Sequence, residues 1–190
     1  MKSTRGNPIT GLTCLIDLLY PLAPTGKLLS MKSTSEQKLA RALPGHLDHS
    51  KLMKLLGYNL AQASIPTSKL FDKHIGDAFQ LKRVEFSILM LLASNSDVTA
   101  KQLSLAINFA APHLTVILDK LEARKLIGRT RGEADRRVLY ISLTEEGERL
   151  VRQIDAVADT MEQEAVRHLT NAERGILLEL LKKVAVHRKV

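Results

Sequence analysis

Apolar residues recur at helical spacing over most of this 190-residue chain. From His49 onward, Leu52, Leu55, Leu56, Leu60 and Ala63 share one stripe, and Phe71, Ile75 and Phe79 resume it after Pro66, where the missing amide predicts a kink or an interruption. Residues 84–93 are apolar almost all round, the pattern of a buried helix, and Asn95, Ser96 and Asp97 then read as a turn. Beyond Thr144, Leu150, Ile154, Val157, Ala158, Met161 and Ala165 mark a helix of about twenty residues, by their 3.6-residue period. Thr170 and Glu173 form a capping box that opens a final helix striped by Ile176, Leu177, Leu180, Leu181 and Val184.

Between these long helices the pattern shortens. Thr99 with Gln102 is another capping box, followed by a helix over 99–107 with Leu103, Ala106 and Ile107 inward. A brief turn at 108–111 leads to Pro112, suited to the first helical position because its amide would be unpaired there anyway. The next helix runs to about Arg124, burying Leu114, Ile117, Leu118 and Leu121 and turning His113, Thr115, Val116, Asp119 and Lys120 outward. Residues 127–130 and 138–143 alternate as two strands of a hairpin with 132–137 as its loop. Two short helices joined by a tight turn and followed by a hairpin make a winged helix-turn-helix.

The fold expected is therefore mainly α, with additional long N- and C-terminal helices and a small β-hairpin wing. Residues 1–46, dense in Pro and Gly, read as a flexible extension, and the repeat of Met-Lys-Ser-Thr at 1–4 and 31–34 makes Met31 an alternative start. Residues 47–190 form the folded part, with a winged helix at about 83–143. The flanking helices, at about 49–79 and 145–187, have more apolar face than a small winged helix can bury, which predicts a homodimer interface.

Composition narrows the function. A net charge of +8 and a pI near 9.7 suit a polyanionic partner. Four Phe, three Tyr and no Trp give poor support for a platform that stacks single-stranded bases. The single cysteine, Cys14, excludes an internal disulfide framework and a Cys-rich zinc site, and suits a cytoplasmic protein. No apolar run reaches the roughly 20 residues of a membrane helix, and Asp17 interrupts the short apolar stretch that would serve as a signal sequence. His46 and His49 lack a third ligand, so no metal or other cofactor is expected. No nucleophile–base pair, paired-carboxylate motif or phosphate-cradling loop points to an enzyme.

Double-stranded DNA is the partner these elements suit. On the second short helix, Thr115 and Val116 can meet thymine methyls while His113 and Lys120 reach a base or a phosphate. On the hairpin, Arg129, Asp135, Arg136 and Arg137 are the candidates: an arginine fits a narrow minor groove, and Asp135 is placed to hold the guanidinium of Arg137. The competing class is a winged helix that contacts protein instead.

Asp135-Arg136-Arg137, its spacing to Leu143-Thr144-Glu145-Glu146-Gly147, Leu121-Glu122-Ala123-Arg124 before the wing, and residues 99–103 resemble the MarR family of transcriptional regulators over about 47–186. The resemblance implies a homodimer whose two winged lobes read a pseudo-palindromic operator. It implies a repressor released by a small aromatic or phenolic ligand, a carboxylate or its thioester, with a ligand-independent regulator as the alternative. It places the ligand between the dimerisation helices and the DNA lobe, where Tyr58, Arg83 and Phe86 would bind an aromatic anion. Arg137 matches the wing-tip arginine, Asp135 its orienting partner, and 112–120 the recognition helix. Lys125 stands where the family more often has Gly. A left-handed residue other than Gly costs on the order of 1 kcal/mol, which predicts a different end to that helix. Residues 80–83 also lack the family's common Gly-Leu-Thr lead into the second helix.

Overall fold

A computed structural model describes Gly45, residues 47–133 and residues 135–187. The expectations for the N-terminal extension, with Cys14, Met31 and His46, lie outside the described residues. The chain divides between Ala61 and Gln62 into two units. In the first, a run of turns precedes the start of helix α1, Leu56–Phe71, whose residues from Gln62 onward belong to the second. There the ring of His49 bonds the Tyr58 hydroxyl, and the Asn59 amide donates to the carbonyls of Met53 (2.7 Å) and Leu55 (2.9 Å).

Helix α1 continues through Pro66, contrary to the break expected there. The proline is exposed, and the Thr67 hydroxyl beside it reaches the carbonyls of Ala63 (3.3 Å) and Ser64 (3.0 Å), which supports the turn that the proline weakens. The departure from α geometry comes later, in a π-helical stretch at Asp72–Gly76, followed by one short α turn at Asp77–Phe79. The wider π turn keeps Phe71 and Ile75 in the core. Gln80 ends the run in the left-handed region at φ 52°.

The winged helix follows. Helix α2, Arg83–Ala93, buries Ile88, Leu89 and Leu92, and the Glu85 carboxylate accepts the Lys82 amide at 2.8 Å to close its first turn. Strand β1, Val98–Thr99, leads into α3, Ala100–Ile107, with the Thr99 capping box in place: the Gln102 amide reaches the Thr99 hydroxyl at 3.3 Å, and the Gln102 side chain takes the Thr99 amide at 2.8 Å. Leu103 is buried as expected, whereas Ala106 is exposed. Helix α4, Ala111–Ala123, begins one residue earlier than the proline suggested and buries Leu114, Leu118 and Leu121.

Strands β2, Ile127–Arg131, and β3, Leu139–Leu143, pair antiparallel with Arg129 opposite Ile141, and β1 adds to the other edge of β3 in the order β1-β3-β2. The two-residue β1 is too short to leave a period in sequence. Helix α5, Glu145–Val166, starts at a Thr144 cap and packs Val151, Ile154 and Met161 into the core, and α6, Asn171–Val186, opens at the expected Thr170–Glu173 box. Glu164 on α5 pairs with the ring of His74 (2.7 Å) and with Lys73 (3.3 Å), and these hydrogen bonds, His74 first, hold its carboxyl below the usual carboxylate range.

Helix α4 ends where Lys125 adopts φ 58°. Its amide bonds the Glu122 carbonyl at 2.8 Å and the Leu126 amide bonds that of Leu121 at 3.0 Å, while Leu121 and Leu126 are both buried. This is a Schellman motif with lysine at its left-handed position, so the expected alternative ending does not occur; the bonds and the buried leucine pair offset the strain. Directly after it, the Thr144 amide donates to the Leu126 carbonyl at 3.1 Å, and a Cβ on Gly147 would lie 2.0 Å from that same oxygen. Only glycine lets α5 start against the end of α4.

Lys125→Gly should relieve about 1–2 kcal/mol of left-handed strain and lose part of it to the freer unfolded chain. Urea unfolding is expected to show a net gain of about 0.5–1 kcal/mol, and a loss would contradict the Schellman geometry.

Candidate nucleic-acid interface

The turn between α3 and α4 is set by Asn108 at φ 51°, with the Phe109 amide on the Ser104 carbonyl (3.0 Å) and the Ser104 hydroxyl on the Phe109 carbonyl (2.7 Å). Those bonds fix how α4 leaves α3. With Leu114, Leu118 and Leu121 buried, helical period places His113, Thr115, Val116, Asp119 and Lys120 on the exposed side. His113 meets Phe109 edge-on, ring centres 6.1 Å apart, and Val116 stays 54% exposed. The Thr115 hydroxyl returns to the Ala111 carbonyl at 3.1 Å. The first two turns of α4 thus offer a small, partly apolar surface of the kind that fits a major groove. Lys120 sits nearer the other end, on an open groove of about 700 Å³ that it lines with Gln80, Lys82 and Arg124.

The wing is built on a tight return. The Asp135 carboxylate accepts the backbone amide of Arg137 at 2.9 Å, its carbonyl accepts the Val138 amide at 3.0 Å, and the Gly132 amide bonds the Val138 carbonyl at 3.0 Å. A Cβ on Gly132 would come 2.9 Å from the Asp135 carbonyl oxygen, so the crossing needs glycine. Asp135 therefore orients Arg137 through its main chain, where a grip on the guanidinium was expected. Arg136 and Arg137 are exposed, and among the described residues neither takes part in an ion pair.

Arg129 is differently placed. Its guanidinium meets Asp119 at 2.6 Å and Glu122 at 3.3 Å, both on α4, and its side chain is only 24% exposed. The strand is thereby fastened to the helix before it, with much of the arginine's charge matched by carboxylates. Sequence reasoning placed Arg124 only as the end of the Leu121–Arg124 motif and missed its contact: it donates to the carbonyls of Gln80 (2.8 Å) and Phe79 (3.0 Å). A cation at a helix C-terminus is the only signal in sequence, and partners more than forty residues earlier leave none.

Arg83 and Phe86 share a second, smaller cavity of about 280 Å³ with Phe71, Ser68, Ser87 and Met161. Arg83 donates to the Ser68 hydroxyl, and Phe71 meets Phe86 edge-on at 5.4 Å. Tyr58 belongs to the N-terminal unit with His49. Among the described residues no three His, Cys, Asp or Glu gather as a metal site, and no helix is long and apolar enough to cross a membrane.

Comparison with known proteins fits this arrangement. The family model for the transcriptional regulator SarA/Rot matches residues 70–154. The HTH-type transcriptional regulator MhqR of Bacillus subtilis is 33% identical over 120 residues, 62% of this chain and 81% of that protein. The transcriptional repressor CouR, solved on a 23-mer DNA duplex, is 32% identical with a TM-score of 0.66, over 73% of this chain and 98% of that one. This chain belongs to the MarR family. A third similar protein, Bordetella bronchiseptica BpsR, is 26% identical with a TM-score of 0.63, over 69% of this chain and 93% of that one; its DNA binding is regulated by 6-hydroxynicotinic acid. The MarR-family protein described here is thus a DNA-binding transcriptional regulator of winged-helix type, in a family of regulators and not of enzymes.

The Arg129 pair is partly exposed, so a double-mutant cycle of Arg129→Met and Asp119→Asn on urea unfolding should give a coupling of about 0.5–1 kcal/mol that shrinks near 1 M salt. Zero coupling at low salt would mean that the strand is not tied to α4 in solution.

Proposed function

We propose that this MarR-family regulator acts as a homodimeric repressor that reads a pseudo-palindromic operator and is released by a small aromatic carboxylate. The observation that carries the DNA part is the pairing of an exposed α4 face, His113, Thr115, Val116 and Lys120, with the exposed arginines of a braced wing. In this reading α4 enters the major groove, Arg137 probes the adjacent minor groove, Arg136 meets phosphate and Asp135 sets the wing tip. Arg129 acts mainly by holding the wing to α4.

Exposed apolar side chains support the dimer. Ile176, Leu177, Leu178, Leu180 and Val184 stand exposed along α6, and Leu52, Leu55, Leu56 and Leu60 are exposed in the N-terminal unit. That much uncovered apolar surface on helices favours burial against a second copy. The folded region is assigned to 47–190, with residues 1–46 as an extension and the flanking helices as the interface.

For the effector, the cavity beside Arg83 combines two phenyl rings with a cation and hydroxyl groups, a lining that suits one aromatic ring bearing a carboxylate. The ring acid that regulates BpsR has this chemistry. A ligand releases DNA only by binding the released form better, so its occupancy must favour a lobe spacing that cannot span two consecutive major grooves.

Two measurements test the reading. Operator affinity should fall steeply with salt as counterions return to phosphate, and Arg137→Ala should weaken it by about 1–3 kcal/mol with reduced A·T preference. No loss from Arg137→Ala would remove the wing assignment, and salt-insensitive binding would favour a protein-binding winged helix. Titrating 6-hydroxynicotinate, 4-hydroxybenzoate and salicylate into the operator complex in a gel shift is expected to release DNA with at least one of them, and Arg83→Ala to blunt that release. Unchanged affinity across all three would remove the effector claim and leave DNA binding standing.

A further inference from the structure

The end of α4 is fastened to a segment far from it in sequence. The two terminal nitrogens of Arg124 donate to the carbonyls of Gln80 and Phe79, the last carbonyls of the helical run that begins with α1. Carbonyls at a helix end lack intrahelical partners and carry the negative end of the helix dipole. A guanidinium can satisfy two of them at once because its donors form a rigid fork. The same run is tied through Lys73 and His74 to Glu164 on α5. One exposed side chain, outside the core, therefore joins α4 to the helical run that also grips α5.

The second brace on α4 has a different reach. Arg129 ties α4 to its own wing, so it moves with the DNA-facing lobe. Arg124 alone of the two connects α4 to helices outside that lobe.

We propose that Arg124 is a positioning residue for operator recognition: by clamping the end of α4 to the carbonyls of Phe79 and Gln80, it fixes the half-site separation that the protein accepts. The inference rests on the two-lobed dimer reading. In such a dimer the distance between recognition helices is set by how rigidly each is joined to the interface helices, and that distance must match the helical repeat of DNA. Loosening the clamp leaves each lobe able to read its half-site while the separation becomes less defined.

The test uses the full chain and duplexes carrying two half-sites obtained by selection, at the selected spacing and with one base pair inserted or removed, together with a duplex holding one half-site. The wild-type protein should lose on the order of 30-fold in affinity when the spacing is changed, since the DNA or the protein must deform to fit. Arg124→Gln should reduce that penalty to roughly 5-fold or less, by weakening binding at the selected spacing while leaving the single half-site affinity within about 2-fold. Arg124→Lys, a single-point donor, should fall between the two. Circular dichroism and thermal unfolding of each variant separate this from a folding defect, which would depress all four duplexes together. A spacing penalty equal to wild type in Arg124→Gln, or an equal loss on the single half-site, overturns the proposal. A wild-type protein indifferent to spacing overturns the dimer reading and this inference with it, whereas a wild-type penalty that survives in Arg124→Gln overturns this inference alone.

Discussion

The C-terminal end of the helix Ala111–Ala123 is the junction on which the winged helix depends. Within six residues it meets three neighbours: Leu126 closes the Schellman turn onto Leu121, Thr144 takes the Leu126 carbonyl, and Arg124 reaches back to Phe79 and Gln80. Each contact ends on a backbone carbonyl at or just past a helix end, reached by an amide or, for Arg124, by its guanidinium, so two helix ends supply the attachment points for the elements around them. The requirement is severe enough to place glycine at 147, where any Cβ would overlap the Leu126 carbonyl. It is also strong enough to hold lysine at 125 in a left-handed conformation.

Electrostatics then divides the basic residues by task. From Asp97 to Leu143 the chain carries eight Lys or Arg against five Asp or Glu, yet the pairs are not spread evenly. Arg129 faces two carboxylates and Arg124 faces carbonyls, while Arg136 and Arg137 stand exposed on a turn that Asp135 holds through the main chain. Groups that brace the scaffold have neutralised or dipolar partners. Groups left without an ion pair are those that a polyanion could neutralise with little desolvation of a competing partner.

The chain's own pattern made most of this architecture legible. Capping boxes at Thr99 and Thr170 and the leucines of the Ala111–Ala123 helix located elements because their signals are local and periodic. What escaped was non-local or geometric. Val98–Thr99 is a strand only because Ile141 and Tyr140 lie opposite it. The π-helical Asp72–Gly76 follows from core placement of Ile75, and Pro66, which looked like the irregularity, is tolerated on an exposed helix with Thr67 beside it. The sequence marks Arg129 as a basic wing residue and does not reveal that Asp119 and Glu122 face it across a helix–strand junction. Family membership was readable from the wing motif and its spacing, whereas the side chains that coordinate the lobe were not.

Selection of bound duplexes from a random pool tests the central claim most directly, because sequence, symmetry and spacing come from one measurement. A homodimer with this recognition helix and wing should enrich a pseudo-palindrome whose half-sites are about one helical turn apart, with A·T pairs where the wing tip lies. Enrichment of a single unpaired motif would contradict the dimeric reading, and no enrichment at all would contradict sequence-specific recognition by these residues.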